Sequence, residues 1–111
     1  LIAMNKQPLS KFVPTVKREG VILVNTSFAE PPKDREDCKV VGIPVNDIAN
    51  ELGDLRIANM VMLGAFVELL KPVKLESVIQ ALSIVIPKRR HDLLPLNEKA
   101  LRRGAELAAQ V

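Results

Sequence analysis

The polar residues best placed to do chemistry each follow an apolar run. Asn5 closes Leu1–Met4, Asn25-Thr26-Ser27 closes Val21–Val24, and Asn46 and Asp47 follow Val40–Ile43 and its Pro44. If those runs are parallel strands, their carboxyl ends lie along one edge of a sheet, where open α/β sheets bind ligands. Asn5, Asn25, Thr26, Ser27 and Asn46 are therefore the ligand-edge candidates. A structural role stands beside each, because the same residue types cap helices and close turns. The remaining chemistry is sparse. His91, the only histidine, follows Lys88-Arg89-Arg90 and has no Ser or Cys near it in sequence to form a catalytic pair. It reads as a solvated turn residue. Cys38 is the one cysteine and stands in a charged stretch, where it reads as a spectator thiol. A single thiol excludes an internal disulfide and a cysteine-ligated metal or iron–sulfur site within the chain. It fits a reducing compartment, the cytoplasm. No catalytic residue and no metal ligand is assigned.

The elements that must position these residues are legible. Val40-Val41-Gly42-Ile43 is almost unbroken in apolarity and predicts a strand buried on both faces. Pro44 ends it. Asn46 or Asp47 caps the short helix that follows, Gly53 closes that helix in a left-handed conformation, and Asp54 caps the next. Upstream, Leu1–Met4 and Val21–Val24 predict two further buried strands. Between them Lys6–Lys17 predicts an amphipathic helix with Leu9, Phe12, Val13 and Val16 on one side, shortened or made irregular by Pro14, and Gly20 turns the chain. A strand, helix and strand in that order make a right-handed βαβ unit. Phe28–Lys39, with two prolines and seven charges in AEPPKDREDCK, predicts a surface loop with freedom to move. The expected fold is α/β: a three-layer Rossmann-like domain, residues 1–111, with a mostly parallel sheet whose strand order stays open, and a helical C-terminal part.

The helix expected from about Leu55 to Leu70 is the most apolar part of the chain. From Ala58 to Leu70 only Asn59 and Glu68 are polar, and their spacing puts them on nearly opposite faces. A helix apolar on all sides belongs inside a larger assembly. Its apolar run falls well short of the ~20 residues a membrane span needs. Asn59, Met60, Leu63, Gly64 and Phe66 are its interface candidates, with Gly64 allowing close approach of another backbone. Asn59 stands beside the alternative of a satisfied buried amide, and Arg56 beside that of an anion contact. Further on, Leu75–Ile84 predicts a helix with Leu75, Val78, Ile79 and Leu82 on one face. Lys88–Asp92 is a charged connector. A last helix runs from Pro95 or Asn97 to Ala109, with Leu101, Ala105 and Ala108 in a narrow stripe. Gly104 weakens it by ~1 kcal/mol relative to Ala, so packing must hold it. The formal charge is −1 through Leu70 and +4 from Lys71 onward. With no Trp or Tyr and three Phe, the chain has little to stack bases on, so nucleic acid is not expected as a partner.

The pattern I-P-x-x-x-I-A-x-E-L-G-x-x-R-x-A-N-M-V-M-L-G-A, from Ile43 to Ala65, resembles the γ subunit of the 2-oxoacid:ferredoxin oxidoreductases. Leu1–Asn5, Val21–Ser27 and Leu96–Leu101 fit the same family, so the resemblance covers most of the chain. It implies an enzyme complex that oxidatively decarboxylates 2-oxoglutarate or a pyruvate-like 2-oxoacid to acyl-CoA and CO2, reducing ferredoxin. It implies thiamine diphosphate, Mg²⁺, [4Fe–4S] clusters and coenzyme A in α, β and δ subunits, leaving this chain a structural and assembly role. Isolated, the chain is open to pairing with a second copy. The family's γ subunits open with a strand and a glycine-rich turn that 1–111 does not contain, and a preceding natural segment is expected. The rival from another class is a free-standing Rossmann-like module holding a nucleotide at the strand ends. A basic regulatory or nucleic-acid-binding protein using Lys88–His91 is the third reading, and it would bind with a steep salt dependence.

Overall fold

A computed structural model describes residues 1–110 and resolves them into two compact units, Leu1–Pro44 and the part from Val45 onward. The first unit contains β1 (Ile2–Ala3), α1 (Lys6–Phe12), β2 (Val21–Asn25) and β3 (Lys39–Ile43). The strands pair in parallel in the order β1-β2-β3, with Ile2 opposite Leu23 and Asn25 opposite Ile43. The α/β class with a parallel sheet is as expected, and the order left open is sequential.

Central β2 explains its own apolar run. Ile22, Leu23 and Val24 are consecutive and fully buried, so both faces of the strand are covered. For β3 the expectation of two covered faces is corrected. Val41 and Ile43 are buried, Val40 is half-buried and Gly42 is exposed. As the last strand in the order, β3 has a partner on one side only, and its composition overstated its burial. Helix α1 ends at Phe12 rather than Lys17, because Pro14 cannot donate to a continuing helix; Val13–Thr15 winds on as a 3-10 turn. Leu9 and Val13 join Ala3, Ile22, Val24 and Ala29 in the unit's core. Phe12 does not: it is exposed, with the Lys11 ammonium 5.3 Å from its ring centre. At the turn into β2 the left-handed residue is Glu19 (φ 64°) rather than Gly20, and its N–H donates to the Asp37 carbonyl at 2.7 Å.

The Phe28–Lys39 segment is also corrected, from a free loop to a pinned one. Arg35 donates to the Val13 carbonyl and to the Val16 carbonyl, both at 2.7 Å, and forks onto Asp37 at 2.9 and 3.0 Å. The guanidinium hydrogen bond holds the Asp37 carboxyl below its ordinary range. One charged side chain thus ties the segment to the end of α1.

In the second unit, α2 (Val45–Glu51) leads through a 3-10 turn (Leu55–Ile57) to α3 (Ala58–Leu70), then α4 (Leu75–Val85), a 3-10 segment (Lys88–Leu93) and α5 (Leu94–Ala109). Gly53, at φ 95°, closes α2 as expected. Asn46 and Asp47 are not its caps: the helix begins at Val45, so both sit within its first turn, where an acid still suits the helix dipole. Asp54 does cap, accepting the Arg56 N–H at 2.9 Å. Arg56 is spent on the same carboxylate, at 2.7 Å, rather than facing an outside anion. Those bonds hold the Asp54 pKa at about 2. Because the folded value lies below the ordinary one, the stabilisation is complete above about pH 4 and drains away as pH falls towards 2. An Asp54→Asn variant is expected to show a flatter loss of stability across that window, read as urea midpoints against pH. A parallel decline in both proteins would remove Asp54 from the account.

Within this chain α3 is covered on one side only. Ala58, Val61, Met62, Gly64, Ala65 and Val67 are buried, whereas Asn59 is exposed, Leu63 and Phe66 are half-buried, and Leu70 is exposed. These four recur at i, i+4, i+7 and i+11, one stripe along the helix. The buried side packs on α5. A Cβ on Gly64 would collide with the Leu101 carbonyl, and one on Gly104 with the Val61 carbonyl, so the two backbones touch where each helix carries a glycine. This is the packing that compensates Gly104. The connector winds as 3-10 turns over Lys88–Leu93 with a kink at Arg90, and His91 is not a solvated turn residue: its Nε2–H donates to the Ile86 carbonyl at 2.9 Å.

Candidate functional site

At the carboxyl end of the sheet in the first unit, the residue that organises the edge is Asn25. Its side chain is fully buried. The amide N–H donates to the Met4 carbonyl at 3.0 Å, tying the end of β1 to the end of β2, and the amide oxygen accepts the Ser27 N–H at 3.1 Å. Its backbone carbonyl accepts from Phe28 and Ala29, so the chain folds back immediately after the strand. The Thr26 N–H meanwhile donates to the Ile43 carbonyl at 3.1 Å, linking the same turn to β3. The buried amide and the Thr26–Ile43 bond together set where Thr26 and Ser27 stand.

Those two residues line an open cleft of about 630 Å³ beside α1, with Lys6, Ser10, Phe28 and Glu30 also on its walls. The lining offers hydroxyls, one cation, one anion and an exposed aromatic face, which suits a polar ligand lying across the surface. Lys6 and Ser10 were not singled out from the sequence. Their position on α1 follows only once β1 and β2 are known to be parallel neighbours, which brings the start of the crossover helix to the sheet's carboxyl edge. Asn5 is exposed at the residue before α1 and makes no side-chain cap there. Asn46 belongs to the second unit, within the first turn of α2. Of the interface candidates, Met60 and Gly64 lie away from the open stripe of α3, Gly64 being buried against α5; Asn59, Leu63 and Phe66 lie on it.

Cys38 is half-buried, its thiol donating to the Lys17 carbonyl at 3.3 Å and lying 3.1 Å from the Arg35 guanidinium. Among the described residues no group of three or more His, Cys, Asp or Glu is gathered to hold a metal ion. Nor is any described helix long and apolar enough to cross a membrane.

Comparison with known proteins places this arrangement. The chain is 33% identical over 113 residues to the 2-oxoglutarate synthase subunit KorC of Methanocaldococcus jannaschii, an alignment taking in all of this chain and 59% of the relative. It is 31% identical over 109 residues to the ketoisovalerate oxidoreductase subunit VorA of Methanothermobacter marburgensis, covering 97% of this chain and 22% of the relative. Among solved structures, the γ subunit of a keto/oxoacid ferredoxin oxidoreductase from Geobacter sulfurreducens superposes with a TM-score of 0.85 at 26% identity, covering all of this chain and 64% of that one. The 2-oxoglutarate:ferredoxin oxidoreductase of Magnetococcus marinus, solved with 2-oxoglutarate, coenzyme A and succinyl-CoA bound, gives 0.87 at 25% identity over 99% of this chain and 19% of that one. The chain thus spans between about a fifth and two thirds of these proteins. Residues 1–107 match the pyruvate ferredoxin/flavodoxin oxidoreductase family, and it is to that family that the chain belongs.

Proposed function

We propose that this chain is the γ part of a 2-oxoacid:ferredoxin oxidoreductase, in which a 2-oxoacid is oxidatively decarboxylated to an acyl-CoA and ferredoxin takes the electrons. The observation that carries the reading is the family match over residues 1–107, joined to a shared fold at TM-score 0.85 with a protein described as a γ subunit. The chain's own donors do not fit an iron–sulfur cluster, which takes four cysteine thiolates; there is one cysteine. In this reading thiamine diphosphate, Mg²⁺ and [4Fe–4S] clusters belong to α, β and δ subunits, and the complex works in the cytoplasm. The chain contributes assembly, through the open stripe of α3, and a ligand edge at Thr26 and Ser27.

We assign 2-oxoglutarate as the first substrate, because the relative named for it aligns over the whole chain. Ketoisovalerate is the second, favoured by the VorA relative. The test is an anaerobic pull-down of the tagged full-length protein from its own cells, followed by CoA-dependent viologen reduction with each oxoacid. Thiamine-binding and iron–sulfur subunits in the eluate, with activity on 2-oxoglutarate, are expected. A chain that elutes alone and inactive, and binds a nucleotide, would move the free-standing module to first place.

A further inference from the structure

We propose that the cleft between α4 and α5, with the cationic turn beside it, docks an acidic segment of a sister subunit that carries an apolar anchor; this rests on the subunit reading above. The cleft holds about 350 Å³ and is lined by Ile79, Leu82, Leu94 and Pro95 together with Gln80, Ser83 and Glu98. Next to Ser83 on the last turn of α4, Ile84 and Val85 are 85% and 76% exposed. Single exposed apolar residues are ordinary, but these two end the helix whose Ile79, Leu82 and Ser83 line the cleft, so exposed apolar surface continues along α4 beyond it.

Charge defines the occupant. Lys88, Arg89 and Arg90 follow directly and are all exposed. Among the described residues none of the three joins an ion pair, whereas the other arginines of this unit are engaged: Arg56 with Asp54, Arg102 with Glu76 and Glu98, and Arg103 with Glu106. The backbone of the turn that carries them is held by local hydrogen bonds. The Arg90 N–H donates to the Pro87 carbonyl at 2.8 Å, His91 to Ile86 at 2.9 Å, and Asn97 to the Leu93 carbonyl at 2.8 Å. Exposed cations without an ion-pair partner, near an apolar cleft, complement carboxylates flanking an apolar side chain. A membrane is a poorer fit, because a helix lying on lipid carries its cations along its own polar face; α4 carries Glu76 and no Lys or Arg. A second copy would set the same three cations against each other across a twofold contact.

The test measures how the full-length chain binds the remainder of its purified complex at several salt concentrations. Ile84→Ser with Val85→Ser is expected to weaken binding about 30-fold, as loss of a hot spot does. The melting temperature should stay unchanged, because both side chains are exposed. Reversing Lys88, Arg89 and Arg90 to Glu is expected to slow association about tenfold at low salt and to flatten the salt dependence. Wild-type affinity in both variants at every salt would overturn the proposal while leaving the subunit reading intact. A wild-type chain without affinity for the remainder would overturn the reading itself, and the docking site with it. Loss of phosphatidylglycerol-vesicle binding on charge reversal, with subunit affinity intact, would assign the patch to a membrane instead. Self-association abolished by Ile84→Ser would assign it to a second copy.

Discussion

Gly104→Ala is expected to destabilise the protein by roughly 2 kcal/mol, although alanine is the better helix former. The propensity scale alone gives the opposite sign, a gain of ~1 kcal/mol for Gly→Ala within a helix. Packing decides the outcome. A Cβ at 104 would fall on the Val61 carbonyl of α3, and one at 64 on the Leu101 carbonyl of α5. In both cases the obstacle is backbone, which cannot rotate away as a side-chain tip can. The helices must separate, and every buried contact along α3 and α5 loosens with them. Overpacking of this kind costs typically 1–3 kcal/mol, and backbone contact belongs at the upper end or beyond. Gly64→Ala is expected to cost as much, and Gly64→Leu more. Because both alanines push the same pair of helices apart, the double variant should lose less than the sum of the singles. Urea midpoints at constant slope would read all of these. A Gly104→Ala protein more stable than the parent would mean the helices do not touch there.

This pair shows how far the sequence could be taken. Gly104 within an apolar stripe already demanded a compensating contact, and Gly64 within the apolar helix already suggested a close approach. That they compensate each other is information about which helices cross, and no local pattern carries it. The same limit explains α3. Composition marked it as apolar throughout, but composition has no direction, so the stripe of Asn59, Leu63, Phe66 and Leu70 was not separable from the face that packs on α5. The strands were legible because three short apolar runs were followed by polar residues, and the parallel sheet follows from the helix between the first two. Edge position was not legible: β3 reads as apolar as β2, yet it pairs on one side only. At the site, Asn25, Thr26 and Ser27 could be found from their place after a strand, whereas Lys6 and Ser10 enter the cleft only through tertiary structure. Arg35 gave no signal at all. Its segment is rich in proline and charge, and the composition that marks a mobile loop is the same whether or not one arginine finds two carbonyls to hold.

Asn25→Ala is expected to cost about 3 kcal/mol, the largest effect of any polar substitution in the first unit. The amide is fully buried and satisfies two backbone groups that have moved out of the strand ladder, the Met4 carbonyl and the Ser27 N–H. Truncation removes both bonds at once, and each hydrogen bond lost costs roughly 0.5–1.5 kcal/mol, with desolvation of the part-buried groups adding to it. Asn25→Asp isolates the donor's share. The shape is kept and the Ser27 N–H still has an acceptor, but an oxygen now faces the Met4 carbonyl oxygen. Burial and that oxygen both disfavour the ionised carboxylate, so its folded pKa is raised above the unfolded value of about 3.9. The penalty from charge is then absent below about pH 4 and grows as pH rises towards the folded pKa. Urea midpoints for Asn25→Asp should therefore approach those of the parent at low pH and fall away at neutral pH, whereas Asn25→Ala should lie below the parent by a similar margin throughout. An Asn25→Asp protein whose deficit does not change with pH would show that the amide donor is not what holds β1 to β2. If the deficit does change as expected, the position of Thr26 and Ser27 in the cleft rests in part on one neutral, buried amide.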